Sequence, residues 1–257
     1  MTTLQQFAWL TRRAVVRTLR QPAAAFPALL FPLILLAVVA AGLGSATDIP
    51  GFPADSYLQF ALAGAFVQAA MVGGINSGAD LAVDIESGLL DRLALTPLRR
   101  WALLLGQLSG AVTLALLAGV LYLAIGLLFG VEIAAGVGGV AVILALAVVS
   151  ALAFAALSAL LALRTGSSEA VHGAFPLTFL LLTFSSFYLP RTLIDVDWFK
   201  ALATYNPVSY LIEGVRSLYI DGWDSQALAL GFGLGAAIVA IGIACASAAL
   251  KGRLAHR

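Results

Sequence analysis

Charged residues are scarce in this chain of 257 residues, of which 11% are Asp, Glu, Lys or Arg and 61% are hydrophobic. A soluble domain is about one quarter charged, so this composition excludes an ordinary soluble fold. The apolar runs between the charged patches are long enough to cross a hydrocarbon core of about 30 Å as helices. Runs such as 137–163 are continuously apolar and do not alternate, which favours helices over the strands of a membrane barrel.

Residues that commonly build catalytic or metal sites are also few. The single cysteine, Cys245, lies inside the last apolar run, which excludes an intrachain disulfide and a thiolate metal site. Neither lysine follows a glycine, so the chain has no G-x-x-x-x-G-K-[ST] phosphate-binding loop. Asp80, Asp84 and Glu86 are the one cluster that a metal-dependent membrane enzyme would use, and we treat that enzyme as a weak alternative. The sequence predicts no catalytic site, no metal and no cofactor on this chain.

Six apolar segments predict an all-α integral membrane protein with six transmembrane helices in a single domain, residues 1–257. An even number of spans places both termini on the same side of the membrane. The predicted spans are 23–43, 57–80, 101–129, 137–163, 170–189 and 227–250.

The N-terminal segment, residues 1–22, combines four arginines with apolar residues such as Trp9 and predicts an amphipathic helix at the membrane surface. A secretory signal peptide is the competing interpretation, but the apolar run 23–43 is longer than the core of a signal peptide. Eleven of the fourteen basic residues fall in this segment, in 80–100, in 164–169 or after 250. The positive-inside rule therefore predicts that these segments and both termini are cytoplasmic.

The cytoplasmic loop 84–100 reads D-I-E-S-G-L-L-D-R-L-A-L-T-P-L-R-R. Its leucines recur at helical spacing, which predicts a short amphipathic helix ended by Pro97. A lipid-bound helix would need an almost purely basic polar face, and Glu86 and Asp91 spoil that face. A protein groove is therefore the favoured partner, with the lipid surface as the alternative.

The outer segment, 190–226, contains N-P-V-S-Y-L-I-E-G-V-R at 206–216. Asn206 is a typical helix cap and Pro207 a typical first helical residue, so we predict a short helix from Pro207 to about Tyr219. Glu213 and Arg216 are one turn apart and are expected to be able to pair. The alternative is a surface helix whose aromatic side chains anchor it at the interface.

Polar residues within the spans are candidates for a substrate path, and hydrogen bonding between helices is the alternative role for each of them. No acidic or basic residue lies at the middle of a span, which argues against a proton-driven carrier. A mildly polar path suits an amphipathic drug or a lipid better than a small ion. The path candidates are Gln68, Asn76, Thr178, Thr183 and Ser186.

On two motifs the chain resembles the type-2 ATP-binding cassette transporter permeases, and among them the daunorubicin-exporter type of multidrug permease. One motif is the acidic-x-Glu-x-Gly-Leu-Leu-Asp-Arg run at 84–92, followed by Thr96, Pro97 and Arg99, and the other is the 206–216 motif. Leu89 is a small departure, since this family often has threonine or isoleucine there. The resemblance also covers chain length, span order and the basic N-terminal helix.

The resemblance implies a pair of such chains, as a homodimer or heterodimer, with separate nucleotide-binding subunits that carry ATP and Mg. It implies that 84–100 is the coupling loop that docks on those subunits, and that the outer segment forms short re-entrant helices that close the exit. The docking set would be Glu86, Gly88, Leu89, Arg92, Leu95, Thr96, Pro97 and Arg99. The outer gate would be Tyr205, Asn206, Pro207, Tyr210, Glu213 and Arg216.

We therefore expect the permease subunit of an ATP-driven exporter of a drug-like or lipid-like substrate, in the cytoplasmic membrane of a bacterium. Its partners would be the ATPase subunit, a second permease subunit and membrane lipid, and no nucleic acid. The principal alternative is a permease of a polysaccharide or glycolipid exporter, and a proton-coupled secondary transporter is less favoured.

Overall fold

The structure is a computed structural model that describes residues 3–94 and 100–255. The described residues are helical with short connections, and no strand occurs among them. The helices are α1 (Thr3–Arg20), α2 (Pro22–Gly42), α3 (Tyr57–Glu86), α4 (Leu89–Ala94), α5 (Arg100–Leu128), α6 (Gly136–Thr165), α7 (Ser168–Gly173), α8 (Phe175–Thr183), α9 (Asp197–Tyr205), α10 (Pro207–Ile220) and α11 (Ser225–Ala255).

Five helices of the described part are long and apolar enough to cross a membrane. They contain the segments Ala25–Gly42, Tyr57–Glu86, Leu103–Leu128, Gly136–Thr165 and Ser225–Arg253. Each is at least 18 residues long, and about 20 helical residues cover the hydrocarbon core. The chain is thus an all-α, multi-pass membrane protein.

The segment 170–189, predicted as the fifth span, is not one continuous helix. It consists of α7 and α8, which meet at Ala174, and a turn that follows Thr183. Pro176 lies in the first turn of α8, where proline fits a new helix but cannot continue the previous one. Hydropathy detects the apolar composition of this segment but not the interruption, so a single helix over 170–189 was wrong.

Helix α3 is the centre of the bundle. In the most apolar stretch of α3, 83% of the residues are buried, compared with 17% in the corresponding stretches of α2 and α11. Among the five long helices, only α3 is therefore enclosed by other helices on nearly all sides. It packs most extensively on α6, and two glycines allow the close approach. A Cβ atom on Gly74 would lie 2.6 Å from Phe154 Cβ and 2.7 Å from the Ala155 nitrogen, and Gly78 meets Ser158 equally closely.

The N-terminal helix α1 packs along α5. A Cβ atom on Gly106 would lie 2.5 Å from Leu10 Cβ, and one on Gly110 would lie 3.0 Å from Thr18 Oγ1. The four-residue glycine spacing of α5 therefore provides a groove for α1, which is itself not a predicted span. Ala14, between these two contacts, is buried.

The two ends of the bundle are chemically different. Arg13, Arg17 and Arg253 gather at one end, which we call the arginine end; there Arg253 Nη1 donates to the Leu163 carbonyl at 3.1 Å. At the other, the aromatic end, Tyr57 donates to the Tyr188 carbonyl at 2.7 Å. Gln59 Nε2, on the same helix turn as Tyr57, donates to the Tyr219 carbonyl at 2.9 Å.

Candidate functional site

A buried carboxylate joins three helices at the arginine end. The side chain of Asp84, near the end of α3, is 5% exposed. Arg13 of α1 donates through Nη2 to both of its oxygens, at 2.8 and 3.0 Å, and Arg17 Nη1 donates to Oδ1 at 3.1 Å. Gln107 of α5 donates to Oδ2. We call Arg13, Arg17, Asp84 and Gln107 the Asp84 cluster; it fixes α1 and α5 to the last turns of α3.

Asp80 lies one turn before Asp84 and pairs with Arg17 Nη2 at 2.7 Å. It lines a small cavity of about 130 Å³ between α1, α2, α3, α5 and α7. The lining of the cavity is mixed, with polar side chains such as Asn76 and His172 and apolar ones such as Val83 and Leu114. Asn76, a predicted path residue, therefore lines a cavity. This cavity has room for a small polar group but not for a whole drug molecule.

Glu86, the last residue of α3, is bound within the chain. Its Oε1 accepts from the Ser168 nitrogen at 2.7 Å and from Ser168 Oγ at 3.0 Å. A carboxylate at a helix N-terminus satisfies free N–H groups and the helix dipole, so Glu86 holds the start of α7. This side chain, expected in the docking set, joins the end of α3 to the start of the broken segment 168–189.

The docking set is described only in part. Gly88 has φ +68, a left-handed conformation that glycine adopts without strain, and it separates α3 from the six-residue helix α4. On α4, Leu90 is buried, Leu89 is half-buried and Arg92 is exposed. The short helix predicted within the 84–100 loop is therefore divided in its described part, since Asp84 and Glu86 belong to α3 and Leu89–Ala94 forms α4. Four predicted members, Leu95, Thr96, Pro97 and Arg99, lie outside the described residues.

The outer-segment helix begins at Pro207, as the Asn-Pro pair predicts, and ends at Ile220. Asn206 Oδ1 accepts from the Val208 nitrogen at 2.9 Å, and its Nδ2 donates to the carbonyls of Leu181 and Phe184. Those carbonyls lie where α8 ends. Asn206 thus caps α10 with one side-chain atom and the end of α8 with the other.

Ser209 and Arg216, further along α10, bind the turn after α8. Ser209 Oγ accepts from the Ser186 nitrogen at 3.1 Å. The buried guanidinium of Arg216 donates to the Ser186 carbonyl at 2.8 Å and, through Nε, to the Phe60 carbonyl of α3 at 3.1 Å. It also lies over the Phe60 ring at 3.6 Å. Asn206, Ser209 and Arg216, which we call the α10 polar row, therefore satisfy the backbone groups that the interrupted helix leaves free.

The pair expected between Glu213 and Arg216 does not form, because each side chain has another partner. Glu213 makes a salt bridge with Arg191, whose guanidinium also lies 4.6 Å from the centre of the Tyr210 ring. Burial acts to lower the pKa of Arg191, but Glu213 and Tyr210 outweigh it and raise that pKa above its usual value. Burial lowers the pKa of Arg216 to about 9, against the opposing effect of Glu213, so Arg216 is still charged at neutral pH.

Tyr205, another predicted gate residue, is 87% exposed at the end of α9 and does not help to bury this site. Tyr210 donates its hydroxyl to the Thr204 carbonyl at 2.8 Å, which joins α10 to α9. Among the predicted gate residues, Asn206 and Arg216 are therefore buried, whereas Glu213 and Tyr210 contact Arg191 nearer the surface.

The remaining path candidates have different environments. Thr178 and Thr183 donate to carbonyls of their own helix, at 2.8 and 3.0 Å, so these bonds are intrahelical and are not the hydrogen bonds between helices that the alternative role describes. Ser186 is buried against Ser209. Gln68 is fully buried in α3, and among the described residues neither of its side-chain amide atoms has a hydrogen-bond partner. An unpaired buried amide is costly, so Gln68 is the path candidate that most requires an explanation.

Sequence reasoning missed several of the residues that organise both ends. Arg13, Arg17 and Gln107 appeared only as basic or polar positions, and Arg191 only as an outer charge. Their partners lie between 22 and 71 residues away along the chain, so no local spacing reveals them. Within the described residues, no group of three or more His, Cys, Asp or Glu side chains is placed to hold a metal ion.

Comparison with known proteins gives a consistent set of matches. A family model described as ABC-2 type transporter matches residues 5–220. The daunorubicin resistance ABC transporter permease protein of Streptomyces coeruleorubidus is 30% identical over 166 residues, which are 64% of this chain and 58% of that protein. The match therefore spans less than two thirds of that relative. The transport permeases ycf38 of Porphyra purpurea and Cyanophora paradoxa are 26% and 27% identical over 217 residues, 84% of this chain and 74% of theirs.

Proposed function

The chain belongs to the ABC-2 type transporter family, and on that premise we propose that it is the permease subunit of an exporter powered by a separate nucleotide-binding subunit. It works as one of a pair of permease subunits in a bacterial cytoplasmic membrane. The arginine end faces the cytoplasm, as the positive-inside rule requires, and the aromatic end faces outward. The substrate is an amphipathic, drug-like or lipid-like molecule.

The arrangement of 84–92 carries this proposal. Helix α4 follows directly on α3 and presents Arg92 to the solvent at the arginine end. A short amphipathic helix of this kind fits a groove on a partner protein. Because the chain has no phosphate-binding loop of its own, a partner docked at α4 is the natural source of ATP energy.

Two carboxylates next to α4 connect it to other helices, so that a movement of α4 would be transmitted to the bundle. Asp84 joins this point to α1 and α5, and Glu86 joins it to α7. Both carboxylates lie within a few residues of Gly88, whose backbone is the hinge between α3 and α4. A displacement of α4 by the ATPase would therefore move four helices together, and the membrane segments would change access as a unit.

At the aromatic end, the α10 polar row binds α10 to the interrupted segment after α8 and, through Arg216, to α3. In the proposed cycle this assembly, together with α9, is the outer gate. In this proposal residues 170–189, the predicted fifth span, cross the membrane as an interrupted helix, which is compatible with the membrane because side chains satisfy its free backbone groups. Since α3 extends from the Asp84 cluster to Arg216, it is the element that connects docking with the gate.

We base the substrate class on the side chains that α3 carries within the membrane. These include the polar residues Gln68 and Asn76 but no charged group at mid-membrane. Such a path gives a few hydrogen bonds to a largely apolar molecule. It offers neither an ionisable relay for protons nor fixed charges for an ion.

Site-specific cross-linking tests the docking. Because Cys245 is the only cysteine, Cys245→Ser gives a cysteine-free background in which Arg92→Cys and, as a matched control, Lys200→Cys are each labelled with a photoactivatable maleimide. Both positions are exposed, but Lys200 lies on α9 of the outer segment. We expect Arg92→Cys to cross-link the co-purified subunit that carries G-x-x-x-x-G-K-[ST], and Lys200→Cys not to do so.

A cross-link from position 200, or none from position 92 in an intact complex, would contradict the docking at α4. The exporter role is tested separately in proteoliposomes that contain the complex with its ATPase. We expect ATP-dependent movement of a lipophilic fluorescent amine or a labelled phospholipid. Uphill movement by the purified chain without the ATPase would refute the proposal.

A further inference from the structure

Four arginines of α1 surround one open hollow at the arginine end. The hollow has a volume of about 500 Å³. It is lined by Trp9, Arg12, Arg13, Val16, Arg17 and Arg20. The proposed function uses Arg13 and Arg17 to hold Asp84 and Asp80, but it assigns no role to Arg12 or Arg20.

The charges around the hollow do not balance. Arg13 and Arg17 are neutralised by the two carboxylates of α3. Within the described residues, Arg12 and Arg20 have no carboxylate partner, and both are exposed. The hollow thus carries two uncompensated positive charges, and guanidinium groups are well suited to bind the oxygens of a phosphate.

The covalent structure fixes the depth of the hollow in the membrane. Only Gln21 separates α1 from α2, and α2 has 21 residues, about 31 Å at 1.5 Å per residue, which matches the hydrocarbon core. Arg20 therefore lies next to the point at which α2 enters the hydrocarbon, at the level of the lipid headgroups. Arg12 lies about two helical turns before Arg20 on α1 and lines the same hollow.

The apolar neighbours of these arginines favour lipid over a protein partner. Trp9 is 57% exposed and Leu19 is 56% exposed on α1, and Phe26 at the start of α2 is 64% exposed. A tryptophan beside arginines is typical of a helix that lies among headgroups. The exposed apolar surface continues from α1 onto α2, which a soluble subunit would not cover.

We propose that this hollow is a binding site for the phosphate of an anionic phospholipid, held by Arg12 and Arg20 with Arg13 and Arg17 beside them. The site is independent of what the protein transports. The bound phosphate neutralises the charges of Arg12 and Arg20, which have no carboxylate partner in the described part of the chain. Because Arg13 and Arg17, beside them, attach α1 to Asp84, the bound lipid also strengthens the attachment of α1 to α3.

The test uses the full-length protein in nanodiscs made of phosphatidylcholine and phosphatidylglycerol in equal parts, with native mass spectrometry to count the lipids that stay bound. We expect the wild-type chain to retain phosphatidylglycerol preferentially. Arg12→Gln/Arg20→Gln should weaken that preference by about 30-fold, equivalent to about 2 kcal/mol for two arginines at an anionic surface. Arg12→Lys/Arg20→Lys, which keeps both charges, and the distant control Lys200→Gln should retain most of it.

Two results would overturn the proposal. One is an unchanged preference in the glutamine variant, and if that variant also no longer co-purified with the ATPase, the hollow would be a protein-binding surface. The other is an equal loss in the lysine variant, since charge would then not be what binds. Size-exclusion profiles of the variants, matched to wild type, establish that the comparison is made between folded proteins.

Discussion

Asp84→Asn is the substitution that most directly tests the arginine end. It preserves size and removes the charge from a side chain that is 5% exposed and accepts hydrogen bonds from Arg13, Arg17 and Gln107. The arginines on α1 would lose the carboxylate that attaches them to α3. We expect α1 to bind the bundle less tightly and the transport cycle to lose efficiency.

The magnitude follows from the exposure of the partners. Breaking a buried ion pair by removing one member costs about 3–5 kcal/mol. Here Arg13 is 37% exposed and can be hydrated, Arg17 keeps Asp80 at 2.7 Å, and asparagine can still accept one hydrogen bond. These three effects reduce the expected loss to about 1–3 kcal/mol of unfolding free energy.

A double-mutant cycle with Arg13→Gln separates the interaction from the individual effects of each substitution. Stability is measured for wild type, both single variants and the double variant by denaturation in nanodiscs, and transport is measured for the same four proteins in proteoliposomes that contain the ATPase. The double variant should be less destabilised than the sum of the single ones, by about 1 kcal/mol or more. Glu169→Gln, an exposed carboxylate at the same end, is the control and should change stability by about 0.5 kcal/mol or less. Additive single effects would refute a direct interaction between Asp84 and Arg13.

Three further predictions concern other contacts. Gly74→Ala should destabilise the bundle by about 1–3 kcal/mol, because its Cβ would meet the backbone of α6. Gly233→Ala, in open space on α11, should not destabilise it, and equal melting of the two variants would contradict the close packing. Arg216→Met should cost about 1 kcal/mol or more for each buried carbonyl that loses its donor, seen as a lower unfolding midpoint, and an unchanged midpoint would count against its structural role. Glu86→Ala should leave ATP hydrolysis in place while transport falls several-fold, because α7 is released from α3; a parallel loss of both activities would argue against that link.

The sequence predicted those features that depend on neighbouring residues. Asn206 and Pro207 determine the start of α10 through local cap chemistry, and α10 begins there. Hydropathy located the five long helices, because each is continuously apolar over a membrane thickness.

The features that sequence reasoning missed depend on contacts between distant residues. Asp84 and Arg13 are 71 positions apart, and Glu86 and Ser168 are 82 positions apart. From the sequence, Glu213 was expected only to be able to pair with Arg216, the nearest arginine on its own helix. It instead binds Arg191, because Arg216 points into the bundle toward backbone carbonyls. The interruption after α8 was missed for a related reason, since the side chains that make it tolerable belong to α10.

The attachment of the turn after α8 has an evolutionary consequence. The side chains of the α10 polar row bind Leu181, Phe184 and Ser186 through main-chain atoms, which every amino acid supplies. Substitutions in the turn can therefore accumulate with little penalty as long as size is respected, whereas Asn206 and Arg216 cannot drift in the same way. Related chains should vary in the turn and keep the row, so transporters of this family with different outer surfaces can arise without a change in the side chains that support the turn.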